Sequence, residues 1–216
     1  MGRGATQRRE AARQEMREDI LRVAREMVER EGVANLSLRA IARTLGYSPA
    51  ALYEYFPSKE AIAKALYFGG ADGLAGRMNR DLAALPPGTP PVEAKKALGR
   101  SYRNFALENR ELFLLVFGSG DAFSTLSEQM EKSSEGYDAL LATVQGGLDS
   151  GDFAPLPAEV LAMTAWASVH GFVMLELAGA FGDEDPNCEI PSHDQPPPDE
   201  LFELHMDLID TGMRRR

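Results

Sequence analysis

The sequence predicts an all-α protein of about nine helices, and three observations carry that prediction. Apolar residues recur at helical spacing in successive stretches of the 216-residue chain. Glycine- and proline-rich breaks separate those stretches. Leu85-Pro-Pro-Gly-Thr-Pro-Pro is the clearest, because proline cannot continue a helix interior. Finally, residues 36–60, LSLRAIARTLGYSPAALYEYFPSKE, hold cap, turn and stop residues for two short helices and the start of another.

In chain order, residues 1–16 come first. They hold Arg3, Arg8, Arg9 and Arg13 with little apolar content. They are expected to form a flexible basic arm, either a disordered lead-in or a segment touching phosphate or the minor groove. The first helix runs from Arg17 to Arg30, with Ile20, Val23, Ala24, Met27 and Val28 as its apolar stripe, and Gly32 ends it.

Ser37 is expected to cap the second helix, its hydroxyl accepting from a first-turn amide. Leu38, Ile41, Ala42 and Leu45 then make one apolar face, and Arg39 and Arg43 fall opposite. Gly46 ends this helix in the left-handed conformation that glycine adopts at little cost. Ser48 caps the third helix, with Pro49 at its first position, where the missing N–H costs nothing. Ala50 to Phe56 forms that helix with Leu52 and Phe56 inward. Pro57 stops it, and Ser58 caps the fourth helix, whose positive end suits Glu60.

A tight turn between two short helices fits a helix-turn-helix whose second helix enters the major groove. Ser48, Ala50 and Ala51 are small enough to let the backbone approach base edges, and alanine can touch a thymine methyl. Tyr53, Tyr55 and Lys59 reach phosphate oxygens, and Arg39 suits a bidentate contact to guanine. The expected DNA contacts are Ser37, Arg39, Arg43, Ser48, Pro49, Ala50, Ala51, Tyr53, Tyr55 and Lys59.

Residues from about Asp19 to Leu66 resemble the N-terminal domain of the TetR family of transcriptional regulators. The run Leu52-Tyr-x-Tyr-Phe-x-Ser-Lys-Glu60 is its most specific part, and Tyr55 stands where histidine is also common. The resemblance implies a homodimer on a palindromic double-stranded DNA operator. It also implies a C-terminal domain from which a small molecule typically controls release, with repression the usual outcome.

The fourth helix extends from Ser58 to about Leu85, with Ala61, Ile62, Ala65, Leu66 and Phe68 at core spacing. Gly69, Gly70 and Gly73 interrupt that pattern and mark either a bend or a close packing contact. Helix five, Val92 to Glu108, points Leu98, Tyr102, Phe105 and Ala106 inward. Helix six is the apolar run Glu111 to Phe117. A weaker pattern from Asp121 to Gly147, with Phe123, Leu126, Met130 and Tyr137, is helix seven.

Helix eight, Pro157 to Phe181, is apolar almost all round, which implies burial on more than one side. Its run AWASVHGFVMLELAG resembles the WHG-type C-terminal domain of one TetR branch, through Trp166, His170 and Gly171. Trp166, His170, Val173 and Leu177 share a face, and Gly171 permits a close helix neighbour on another. Helix nine, Leu201 to Met213, carries two stripes: Leu201, Leu204 and Leu208 on one, Phe202, Met206 and Ile209 on the other. Two stripes imply one contact within the chain and one with a second subunit. The family pairs its last two helices across the dimer, so helices eight and nine are expected to form a homodimer interface.

The ligand site is expected among helices five to eight. Candidate lining residues are Tyr102, Phe105, Phe113, Phe117, Met130, Tyr137, Met163, Trp166, His170 and Met174. Aromatic and methionine walls with few charges favour a hydrophobic or aromatic small molecule.

The net charge of −10 is unevenly spread. Residues 1–70 hold 12 basic and 9 acidic side chains, against 11 and 24 in residues 71–216, so an acidic body carries a mildly basic reader. The single Cys188 excludes an internal disulfide framework. Cys188, His193 and Asp194 match no metal-ligand spacing, and neither a metal nor a cofactor is expected. The three histidines come with no nucleophile elbow or phosphate loop, so the chain does not read as an enzyme. No secretory signal is seen, and no apolar run is expected to reach the ~20 residues that span a bilayer, which points to the cytoplasm. The expected division is residues 1–16 as arm, 17–68 as the three-helix DNA-binding domain and 69–216 as the helical ligand-binding and dimerisation domain.

Overall fold

The computed structural model describes residues 3–117, 135–181 and 196–214. Within them lie nine α-helices and no strand: α1 Arg3–Glu31, α2 Leu38–Leu45, α3 Pro49–Tyr53, α4 Lys59–Ala83, α5 Pro91–Glu108, α6 Arg110–Phe117, α7 Glu135–Asp149, α8 Ala158–Leu177 and α9 Pro198–Met213. The described residues form two compact units. The first takes residues 3–73 and 109–117, and the second takes 74–108 and 135–214. A boundary after residue 68 is therefore not where compactness divides the chain, because α6 packs with the first unit.

The first helix differs most from expectation. It begins at Arg3, so residues 3–16 are helical where a flexible arm is expected. Alanine, arginine, glutamine and glutamate are strong helix formers, and this segment needs no apolar stripe to continue the turn of α1. Gln14 donates to Glu18 one turn on at 2.9 Å. Ile20, Ala24 and Val28 are buried from the same helix, with Leu38, Ile41 and Ala42 of α2, Leu52 of α3, Phe56, and Ile62 and Leu66 of α4. Each such Val, Leu, Ile or Phe side chain stabilises the unit by ~1.5–3 kcal/mol relative to exposure.

Helix α4 is continuous through its glycines. A Cβ on Gly70 would lie 2.9 Å from Leu112 Cγ and 3.2 Å from Val116 Cγ2, so the glycine is there for the close approach of α6 rather than for a bend. Leu112, Phe113 and Val116 are accordingly buried in the first unit.

The second unit is built on α5, α7, α8 and α9. Leu98, Tyr102, Phe105 and Ala106 point inward from α5, as their spacing predicts. They meet Leu140 and Val144 of α7, Ala162, Ala165, Val169 and Val173 of α8, and Phe202 and Met206 of α9. Ion pairs join the same helices. Arg100 makes a two-bond fork to Glu203, both at 2.7 Å. Arg103 reaches Glu176 at 2.5 Å and Asp199 at 2.8 Å. Lys95 Nζ lies 2.6 Å from Asp210 Oδ1 with both side chains fully buried.

Helix α8 corrects the expectation about apolar runs. An 18-residue window of its 20 residues makes it long and apolar enough to cross a membrane by length and composition alone. Only 33 % of that window is buried, on the face that packs into the second unit. Gly171, expected to admit a close helix neighbour, is exposed and has nothing within 4 Å of the position its Cβ would take.

Candidate nucleic-acid interface and ligand pocket

The turn between α2 and α3 is fixed by local chemistry. Gly46 takes φ 75° and ψ 24°, and its N–H and that of Tyr47 close α2 by donating to carbonyls of its last turn. Ser48 is extended, and its Oγ accepts from the Ala51 N–H at 3.2 Å. Pro49 follows at the first helical position. Ser58 caps α4 in the same way through the Ala61 N–H at 3.3 Å. The Ser58 hydroxyl also holds the Glu60 carboxyl below its ordinary pKa, with help from the Glu60 backbone N–H. Ser37 departs from expectation. It sits at the N-cap of α2 with an extended backbone but makes no side-chain cap bond.

Of the expected contact residues, Arg39, Arg43, Ser48, Pro49, Ala50, Tyr53 and Lys59 are exposed, and Ser37, Ala51 and Tyr55 are half-buried. Arg39, Arg43 and Lys59 form no ion pair among the described residues, which leaves three cations on the surface around α3. Tyr47 in the turn is exposed as well, and the helical pattern did not single it out. The pattern also missed the brace behind α3. Arg17 donates to the Tyr55 carbonyl at 2.6 Å while its guanidinium lies 4.2 Å from the centre of the Phe56 ring. Arg13 donates to the Glu54 carbonyl at 3.1 Å. These bonds occupy carbonyls just past the end of α3, which the helix itself leaves unsatisfied.

The second unit contains a small cavity of about 30 Å³ that opens to solvent. Its wall is formed by Met78, Lys95, Leu98, Gly99, Tyr102, Leu140, Ala165, Trp166, Val169 and Met206. Tyr102 and Trp166 are the two expected lining residues that contribute. His170 stands behind them. Its Nδ1 lies 2.9 Å from the Tyr102 hydroxyl, which also receives the Trp166 indole N–H at 3.4 Å. The hydroxyl can donate to Nδ1 in the neutral tautomer that leaves that nitrogen without a proton. Burial lowers the His170 pKa in the same sense, and burial raises that of Tyr102. Tyr137 packs its ring on Trp166 at 6.1 Å between centroids.

Other expected lining residues fall elsewhere. Phe113 and Phe117 stack on each other at 4.8 Å in α6, which belongs to the first unit. Met163 is 45 % exposed on the outer face of α8. Phe105 is buried on α5 and Met174 half-buried on α8, both outside the wall, and Met130 lies outside the described residues. Lys95, Leu98, Met78 and Met206 were missed, because periodicity marks them as core or surface without saying which cavity they face.

Two family models match this chain. Residues 20–66 match the bacterial regulatory proteins of the tetR family, and residues 96–209 match the tetracyclin repressor-like C-terminal domain. The chain is 26 % identical over 176 residues to Rv0681, an uncharacterized HTH-type transcriptional regulator of Mycobacterium tuberculosis, covering 78 % of this chain and 73 % of that protein. It is also 26 % identical over 204 residues to the HTH-type transcriptional regulator Rv1816 of the same species, covering 81 % and 86 %. Among solved structures, a protein of unknown function from Rhodococcus sp. RHA1 superposes with a TM-score of 0.75 at 28 % identity, over 92 % of this chain and 95 % of that one. With a helix-turn-helix matched at one end and the C-terminal domain matched over more than half its length, the chain belongs to the TetR family of DNA-binding transcriptional regulators and is not an enzyme.

Proposed function

We propose that the protein is a ligand-responsive repressor that binds a palindromic operator in the cytoplasm as a homodimer and leaves it when a small molecule fills the cavity of the second unit. The observation that carries this reading is the uncovered apolar face of α8 and α9. Val160, Met163 and Leu175 on α8, and Leu204 and Leu208 on α9, are each between 45 % and 73 % exposed. On α8 these positions flank Ala167 and the open side of Gly171, at the spacing of one helix face. Large apolar side chains on two neighbouring helices of a regulator mark an association surface, and a second copy offers the same face in return. A dimer is also what a palindrome needs, since two readers must stand ~34 Å apart.

Within each reader, α3 is the element for the major groove. Ser48, Pro49, Ala50 and Ala51 form its entry, Arg39 reads a guanine, and Ser37, Arg43, Tyr53, Tyr55 and Lys59 meet phosphates. Ligand acts by favouring a conformation that holds the readers off operator spacing. By linkage, ligand weakens DNA by the same factor that DNA weakens ligand. Selection of binding sites from a random DNA pool, followed by a salt titration on the winner, tests the reading. An enriched palindrome with a steep salt slope is expected. Absence of any enriched site at moderate salt would refute specific operator binding.

A further inference from the structure

Helix α1 begins well before the core requires it. Ile20 is its first buried residue, and residues 6–15 are all exposed, about 15 Å of helix whose only apolar residues are Ala11 and Ala12. These turns run beside the reader. Arg13 donates to the Glu54 carbonyl at 3.1 Å, with its guanidinium 6.0 Å from the centre of the Tyr55 ring. Arg17, one turn on, donates to the Tyr55 carbonyl at 2.6 Å. Arg9 precedes Arg13 by the same four residues, so the three arginines share one face. Arg9 is exposed and makes no ion pair or side-chain hydrogen bond among the described residues. The opposite face differs. Arg22, about two and a half turns beyond Arg13, is held by Asp19 at 3.1 Å and Glu26 at 3.3 Å.

We propose that this face of α1 is a second DNA contact, in which Arg9 and the N–H groups that Glu54 leaves over on Arg13 hold the phosphate backbone beside the groove that α3 enters. The proposal rests on the reading of α2 and α3 as the DNA reader and extends it. A guanidinium has five N–H donors, and the Glu54 carbonyl takes one from Arg13. Exposed Tyr53 and Lys59 flank the carbonyls of residues 54 and 55, so the arginine face continues the cationic surface around α3. Glu15 lies on the far side of the helix. Glu10 is the one carboxylate bordering the face, and it pairs with neither arginine. A lipid surface is the poorer match, because a helix that lies on one needs an apolar face. Phosphate contacts carry no base information, but they fix the register of the reader and lengthen the duplex it grips. A helical extension also presents its arginines already placed, so less ordering cost falls on binding than with a flexible arm.

Because phosphate contacts do not depend on sequence, the test needs no operator. Full-length protein is titrated against a fluorescein-labelled, mixed-sequence duplex of ~40 base pairs, and anisotropy is followed from ~50 to ~200 mM salt. Arg9→Ala is expected to weaken binding and to lower the slope of log affinity against log salt by about one for each reader in contact. Arg9→Lys keeps the parent slope, since the charge is what the phosphate meets. Arg22→Ala, on the opposite face, leaves the slope unchanged. Alanine is a strong helix former, so Arg9→Ala keeps α1 helical, and circular dichroism checks this. An unchanged slope in Arg9→Ala overturns the proposal, and the reader still stands if Lys59→Ala lowers it. An equal fall in Arg9→Ala and Arg22→Ala also overturns the proposal, because net charge rather than this face would then be at work. So does a slope in Arg9→Lys as low as in Arg9→Ala. No binding of the duplex by the unaltered protein at the lowest salt overturns both the proposal and the DNA reading beneath it.

Discussion

Replacing Lys95 by methionine removes one half of an ion pair that is almost wholly inside the protein. The side chains of Lys95 and Asp210 are 1 % and 3 % exposed. Methionine keeps most of the stem volume, so the variant removes charge more than packing. What it leaves is Asp210, buried, with Lys96 Nζ at 3.6 Å as its nearest cation. Breaking a buried pair costs ~3–5 kcal/mol because the survivor is uncompensated. The low end applies here, since Lys96 remains close. Urea unfolding at one fixed protomer concentration measures this, the fixed concentration being required for a protein read as a dimer. A slope of ~1–3 kcal/mol per molar urea turns a 3 kcal/mol loss into a midpoint lower by ~1–3 M. The paired variant Lys95→Met with Asp210→Leu should return close to the parent, because two apolar groups of similar volume replace a costly pair. A single variant within ~0.5 kcal/mol of the parent, or a paired variant no better than the single one, would falsify the view that this pair is an internal charge balance.

Three further outcomes follow from the same coordinates. Val160→Glu combined with Leu208→Glu should turn a dimer into a species near 23.6 kDa by light scattering, and a dimer that persists would place the interface elsewhere. Lys59→Ala should weaken DNA binding and lower the salt slope by about one, whereas Arg17→Ala should weaken binding with the slope unchanged, because Arg17 bonds a protein carbonyl. The His170 pKa is lowered in the folded protein by burial, so the unfolded chain takes up that proton first as pH falls below the ordinary 6.5. Its contribution is therefore complete above that value and is lost as pH drops toward the folded one. His170→Gln should shrink the stability lost between about pH 7.5 and pH 5, and an equal loss in both proteins would assign the acid sensitivity to other groups.

Much of the reader was legible in the sequence because its signals are local. A glycine at the end of α2, Ser48 before Pro49 and Ser58 before Lys59 each act within three residues, and each is found where the letters place it. Ser37 fails for a reason of the same scale. Its backbone takes the cap conformation, but the hydroxyl does not turn to the first-turn amides. The extent of α1 was not legible, because its first turns have no stripe and depend on helix propensity and on carbonyls some 40 residues away. The cavity was the least legible part. No sequence signal singles out Lys95 or Lys96, and only the fold brings Asp210 to them. Phe113 and Phe117 carry a strong apolar signal, yet periodicity says that a residue is buried and not in which unit.

The brace behind α3 has an evolutionary consequence. Arg13 and Arg17 hold the main chain of Glu54 and Tyr55 rather than their side chains. Every amino acid presents that same carbonyl. Residues 50, 51, 53, 54 and 55 can therefore change their side chains, and with them the DNA sequence that α3 is proposed to read, without loosening the hold on the main chain. A regulator built this way can be re-addressed to new operators by altering α3 alone, while the arginines that keep it in place stay as they are.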